Sequence, residues 1–368
     1  MTNPRPQHGL DSIKPYVPGK PIEDVQREYG LSHVIKLASN ENPLGASPKV
    51  VAALQKALTE INFYPDAQAY YLREGLGKAL SVPPNHIAIG NGADGLIREV
   101  CVAYLEDGDE VIVSRSSFPV YDESTQVMRG QLVKTPLKND GLDLAAMAKA
   151  VTPRTRIVFV CNPNNPTGTM VTAAEVDAFM KAVPDHVIVV LDEAYREFVE
   201  SDQYPDSLRY VREGRKNVLV MRTFSKVYGI AGLRLGYGVA CPEMLAAMQT
   251  VSESFPVNRL AQVAGLAALD DHEFMQRTVE TNRVGRLFLY ETLEALGLRC
   301  VRSHTNFVLV HVGPKAGQVY QALLRRGVIV RPCNGYDLPE YLRITVGRPE
   351  QNAELVAGLK EILKPGGI

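Results

Sequence analysis

Lys226 lies in RTFSKVYGIAGLRLG (222–236), where an apolar run gives way to a glycine-rich turn. An amine shielded from water loses part of its preference for the charged form, and the neutral amine is a nucleophile toward aldehydes. Taken alone, Lys226 reads as an ordinary solvated loop lysine; its company changes that reading. Thr223 and Ser225 just upstream and Arg234 downstream supply hydroxyls and a guanidinium, the donors that a phosphate group needs. A second glycine-rich turn, GNGADGLI (90–97), opens a helix, and its amides near Ala93 and Asp94 can add to the same anion cup.

Three further segments carry polar or aromatic groups at strand ends. DEAYREF (192–198) places Asp192 directly after an apolar run, and a carboxylate at that depth needs a cation or a donor. The plainer reading makes Asp192 a turn cap and Tyr195 a half-buried aromatic. CNPNNPTGT (161–169) is a rigid Asn/Pro/Gly turn in which Asn165 precedes Pro166 and is pushed toward an extended conformation that can aim it into a cleft. SFPVY (117–121) sets Phe118 just past a strand, suited either to the core or to stacking on a flat ring.

The elements that position these residues are legible as alternating strands and helices. HIAIG (86–90), EVIVS (110–114), RIVFVC (156–161), HVIVVLDEA (186–194), NVLVMRT (217–223) and LRLGYGVA (233–240) are near-continuous Val/Ile-rich runs. Such runs imply strands covered on both faces, hence an α/β domain with a mainly parallel sheet flanked by helices. Function in such sheets gathers beyond the carboxyl ends of strands, where Phe118, Asn165, Asp192 and Lys226 fall. The C-terminal part predicts one helical stretch from about Asn258 to Leu298, then strands at 305–312, 327–332 and 342–346, and a last helix from about Pro349. That pattern gives a small α+β domain. The expected division is an N-terminal arm over 1–45, wrapping across the rest or a partner subunit, a large domain over 46–265 and a small domain over 266–368.

Composition removes several function classes. Hydrophobic residues make up 45% of the 368 and charged residues 22%, with a formal net charge of −1. That balance gives no electrostatic reason to expect nucleic acid or an anionic membrane as partner. The five cysteines, Cys101, Cys161, Cys241, Cys300 and Cys333, are widely scattered, which predicts reduced thiols and no metal site. No apolar run reaches the roughly 18 residues of a membrane span, and the first residues lack a signal-like apolar core, so the expected location is cytoplasmic.

In combination and in this order, the segments resemble the fold-type I, aspartate aminotransferase-like aminotransferases from about residue 36 to 350. The resemblance implies pyridoxal 5'-phosphate (PLP) as cofactor, an amino donor and a 2-oxo acid acceptor as substrates, and a homodimer with shared active sites. It implies that Lys226 binds the cofactor covalently and moves the substrate proton, and that Asp192 pairs with the ring nitrogen. At about 4 Å and an effective dielectric of 20 that pairing amounts to about 4 kcal/mol, or about three pKa units on the nitrogen. Tyr195 and Asn165 would bond the ring's phenolate oxygen, and Phe118 would stack on the ring. Ala93, Asp94, Thr223, Ser225 and Arg234 would hold the phosphate, with Tyr64 of FYPD donated by the neighbouring subunit. Arg343 of LRITVG would receive the substrate's anion.

Within that group, KPYVPGKP (14–21), LASNENPLGASP (37–48), YPD (64–66), AGLRLGY and GVIVRP are similar to the histidinol-phosphate aminotransferases. This likeness implies transfer from L-histidinol phosphate to 2-oxoglutarate, with Tyr16, Asn42, Asn306, Arg331 and Arg343 lining the substrate end. Two arginines suit a site that serves a phosphate ester and a dicarboxylate in turn. Gly95 and Phe63 depart from the family pattern, where Glu and Arg are common. Aromatic amino acid aminotransferases share nearly all these motifs and remain an alternative. A phosphothreonine-type decarboxylase and a PLP-sensing regulator are remoter ones, the latter lacking any chain left over for a DNA-binding region.

Overall fold

The computed structural model describes residues 10, 13, 18–364 and 366. Seven strands form the central sheet: β1 (Ile87–Asn91), β2 (Glu110–Ser114), β3 (Gln131–Thr135), β4 (Thr155–Cys161), β5 (Ile188–Asp192), β6 (Val218–Thr223) and β7 (Leu235–Val239). Their spatial order is β1-β7-β6-β5-β4-β2-β3. All neighbours run parallel except at β7, which is antiparallel to both β1 and β6.

The Val/Ile-rich pattern has the expected physical origin. Along β4, Val158 and Val160 enter one core, while Ile157, Phe159 and Cys161 enter the core on the opposite face. In β5 the same alternation sends Val189 and Leu191 one way and Ile188 and Val190 the other. With both faces covered, the inner strands β5 and β6 are buried along their whole length and meet solvent only beyond their ends. A polar side chain at a strand terminus therefore faces either a cleft or a desolvation cost of a few kcal/mol.

The second unit carries an antiparallel sheet of β8 (Arg299–Val301), β9 (Phe307–His311), β10 (Arg331–Pro332) and β11 (Tyr341–Thr345) in the order β8-β9-β11-β10. The N-terminal segment joins this unit rather than standing apart. Ile35–Lys36 pairs in parallel with Val328–Ile329, and Val25 and Ala38 pack against Leu324 and Ile329. The helical stretch expected as one piece is two helices, Arg259–Leu269 and His272–Ala295. The break has a local cause. Asp271 leaves the helical conformation and its carboxylate accepts the Phe274 amide at 3.4 Å, capping a new helix N-terminus. On the longer helix, Phe274, Thr278, Asn282, Gly285, Leu289 and Leu293 form one buried stripe. The first helix packs on Pro48–Ala57 and Tyr70–Leu80, beside the large sheet.

Among the described residues, no helix is long and apolar enough to cross a membrane.

Candidate active site

A cleft of about 370 Å³ opens at the carboxyl ends of β4, β5 and β6, between the two units. Its lining includes Ala93, Asp94, Phe118, Asn165, Asp192, Tyr195, Thr223, Ser225, Lys226, Arg234 and Arg343 from the residues singled out in the sequence. Ser39, Asn40, Glu41 and Cys161 also line it.

One wall is a helix N-terminus held against an arginine. Gly92–Tyr104 starts without a side-chain cap, which leaves the amides that follow Gly92 at a helix N-terminus suited to an anion. Arg234 adopts the left-handed conformation (φ 55), its carbonyl accepts the Gly92 amide at 2.9 Å, and its guanidinium reaches Asp94 at 3.1 Å. Two glycines permit this approach. A Cβ on Gly92 would stand 2.6 Å from Arg234 Nη2, and one on Gly236 would stand 2.5 Å from the Ala93 nitrogen. Thr223 Oγ1 accepts the Ser225 amide at 3.1 Å, which fixes the turn that delivers both hydroxyls.

The floor is the end of β5. Asp192 is 3% exposed; its carboxylate accepts the Tyr121 hydroxyl at 2.5 Å and the Ala194 amide at 3.1 Å. Burial pushes its carboxyl up to about 6, against the lowering influence of those two donors. Tyr121 is itself held by stacking on Phe159 at 4.4 Å, and Phe118 meets its edge at 5.7 Å. The sequence singles out Phe118 but not Tyr121, which lies three positions on in the first turn of Val120–Val127, a helix that Phe118 precedes. Behind Asp192, Arg222 and Glu193 form a fully buried ion pair at 2.8 Å.

Lys226 projects from the turn after β6, with Nζ 3.4 Å from the Ser39 carbonyl and 5.8 Å from the Tyr195 ring centroid. Burial, reinforced by the positive charge of Arg343, lowers its amine to about 8. That places a usable fraction of neutral nucleophile near physiological pH.

The opposite wall comes from the small unit. Arg343 is 2% exposed, donates to Asn165 Oδ1, and reaches the Ala38 carbonyl at 2.8 Å and the Tyr336 hydroxyl at 3.3 Å. In the β10–β11 register Arg331 stands directly opposite Arg343, and the two guanidinium carbons lie 5.9 and 5.7 Å from the same Tyr336 ring. In the NPNNPTG turn, Asn162 and Asn164 are consumed by the loop itself: Asn162 exchanges bonds with Val171, and Asn164 bonds Ser116, Ser117 and Thr167. Asn165 alone of the three lines the cleft.

Other expected positions lie elsewhere. The Asn42 amide ties down the Val227 carbonyl at 2.9 Å and Thr278 at 3.1 Å, next to Lys226 but outside the lining. Asn306 donates to the Asn40 carbonyl at 2.9 Å, and Arg331, paired with Arg343 in register, is not among the lining residues. Tyr64 is 79% exposed and stacks on Phe255 at 4.6 Å, on the outer surface. Tyr16 falls outside the described residues. Phe63 is exposed, and Gly95 lies on the helix that opens at Gly92.

The model of the aminotransferase class I and II family matches residues 32–359. The chain belongs to that family. Its substrates are accordingly an amino donor and a 2-oxo acid. The chain is 50% identical over 362 residues to a histidinol-phosphate aminotransferase of Moorella thermoacetica, covering 98% of this chain and 94% of that one. It is 48% identical to one from Symbiobacterium thermophilum, covering 96% and 97%. Among solved structures it superposes with TM-score 0.90 on the histidinol-phosphate aminotransferase of Sinorhizobium meliloti in complex with pyridoxal-5'-phosphate, at 29% identity and 98% coverage of both chains. Aspartate aminotransferase of Thermus thermophilus with maleate gives TM-score 0.84 at 25% identity, covering 97% and 98%.

Proposed function

We propose that this aminotransferase moves the amino group of L-histidinol phosphate to 2-oxoglutarate, a step of histidine biosynthesis, using pyridoxal 5'-phosphate held in the cleft. The cofactor fits the residues present. An uncapped helix N-terminus beside Arg234 suits its phosphate, and a buried carboxylate suits a protonated ring nitrogen. Bound there, pyridoxal phosphate supplies an aldehyde that condenses with amines and a ring that draws electrons from the α-carbon.

The protein's part is binding, orientation and proton transfer. Ala93, Asp94, Thr223, Ser225 and Arg234 would hold the phosphate. Asp192 would pair with the ring nitrogen, with Tyr121 keeping the carboxylate ionised and oriented. Tyr195 and Asn165 would bond the ring oxygen, and Phe118 would stack on the ring. Lys226 Nζ, lowered to about 8, takes the α-proton as a base and returns it as an acid. Arg343, bridged to Asn165, binds the anionic end of the substrate.

The choice of substrate rests on Arg343, which lines the cleft, with Arg331 paired to it in register just outside the lining. Two guanidinium groups over one tyrosine ring match a phosphate ester or the distal carboxylate of 2-oxoglutarate better than the uncharged side chain of phenylalanine. The experiment mixes cofactor-loaded protein with L-histidinol phosphate or L-phenylalanine, without a keto acid, and follows the cofactor's absorbance. Fast loss with histidinol phosphate and slow loss with phenylalanine is the expected result. The reverse order would make the chain an aromatic amino acid aminotransferase.

The working form in this reading is a cytoplasmic homodimer. Ile61, Phe63, Tyr64, Tyr70 and Tyr71 are all more than half exposed, an apolar surface that a second copy would cover while Tyr64 reaches the neighbouring phosphate cup.

A further inference from the structure

Asn40 is buried to 1% and holds a left-handed backbone (φ 56), a conformation asparagine tolerates better than most residues. Its side chain and main chain meet partners from three distant parts of the chain. The Asn40 amide N–H donates to Thr345 Oγ1 at 2.9 Å, and Thr345 Oγ1 in turn donates to Asn40 Oδ1 at 3.1 Å. The Asn40 carbonyl accepts Asn306 Nδ2 at 2.9 Å. With Oδ1 committed to Thr345, Nδ2 faces the Tyr195 hydroxyl and donates to it at 2.9 Å.

This order of donors has a chemical consequence. A phenol that accepts from Asn40 keeps its own proton to give elsewhere. Tyr195 is 4% exposed, its ring wedged edge-on against Phe307 at 5.3 Å, and its open side is the cleft. We propose that Asn40, oriented by Thr345, is a positioning residue that fixes the Tyr195 hydroxyl as a hydrogen-bond donor into the cleft. In the cofactor reading given above, on which this inference rests, that donor points at the ring oxygen of pyridoxal phosphate. The neighbouring carbonyls of Ala38 and Ser39 meet Arg343 and Lys226, so residues 38–40 set three cleft side chains from one stretch of chain.

The test uses Asn40→Gly, which keeps the left-handed backbone accessible, and Thr345→Val, which removes the hydroxyl that orients the amide. The readout is the pH titration of the cofactor's visible absorbance in the resting, loaded protein, with cofactor dissociation measured alongside. A donor to the ring oxygen stabilises its anionic form, so its loss raises the titration midpoint. The expected rise is about one pKa unit for Asn40→Gly and a smaller rise for Thr345→Val. In a Tyr195→Phe background Asn40→Gly is expected to shift nothing further. Unchanged midpoints in both single variants, or an equal shift with and without the Tyr195 hydroxyl, would overturn the proposal. Should Asn40→Gly not fold, Thr345→Val in the two backgrounds decides alone. Failure of the native chain to form a lysine-dependent absorbance band overturns the cofactor reading as well, whereas an unshifted midpoint overturns only this one.

Discussion

The two walls of the cleft are built by different means. On the large-sheet side, each group follows directly from the end of a regular element: Asp192 ends β5, Lys226 follows β6, and Ala93 and Asp94 open the helix after β1. On the small-unit side, Arg343 sits mid-strand in β11 and is useful only because residues 38–40 and Asn165 come to it from more than 170 positions away. The first wall is assembled by sheet topology. The second depends on where the small unit rests against the first.

That contrast predicts effects of different kind and size. The largest belongs to Lys226→Ala, which should lower turnover by up to about 10⁴-fold through loss of the acid–base group, while phosphate-anchored cofactor still binds. Full activity in that variant, measured as steady-state turnover, would remove Lys226 from the chemistry. Next comes Arg343→Ala, on the small-unit wall. Losing a buried, hydrogen-bonded cation should reduce kcat/KM by about 10²-fold or more, for donor and acceptor alike. A loss confined to one of them would show that the two anions do not share this arginine.

Tyr121→Phe probes the large-sheet wall more gently. Hydrogen bonds to charged groups contribute about 1.5–3 kcal/mol, so cofactor affinity should drop about tenfold or more. With that donor gone, the Asp192 carboxyl moves above its value of about 6, and cofactor binding should fail at a higher pH on acidification. A binding-versus-pH curve identical to the native one would separate Tyr121 from Asp192 function.

The smallest effect concerns the cofactor-free protein. Lys226 has a folded value of about 8, below its ordinary 10.5, so the unfolded chain holds more protons between those limits. Its contribution to stability is therefore a penalty below about pH 8 that is relieved as pH rises toward 10.5. Denaturant titrations at several pH values should show native protein gaining on Lys226→Met across that window. Parallel curves would mean that the amine is not desolvated in the absence of cofactor.

Much of the large-sheet wall was legible from residue order because strand ends in a covered sheet are the places where a polar residue must have a reason. Lys226, Asp192 and Arg234 announce themselves by interrupting apolar or glycine-rich runs. Tyr121 escaped notice because an aromatic beside an apolar strand looks like core, and its hydroxyl partner lies 71 positions away. Asn40 escaped for a stronger reason: LASNENP contains two asparagines, and nothing local distinguishes the one that meets Tyr195 from the one that bonds the Val227 carbonyl. The two-helix break at Asp271 was missed because both flanking stretches carry helical periodicity, and only the cap reveals the join.

What the sequence by itself determined is the class of the fold, through two-sided apolar strands, and which polar residues gather on the large-sheet side of the cleft, because such strands place them at their ends. Tertiary structure decided which of several asparagines and tyrosines face the cleft, that Arg331 stands opposite Arg343, and that the N-terminal segment completes the small unit. The physical reason is range. Burial pattern is a local property of a strand or helix, whereas the partner of a hydrogen-bonding side chain is fixed by the packing of segments hundreds of residues apart.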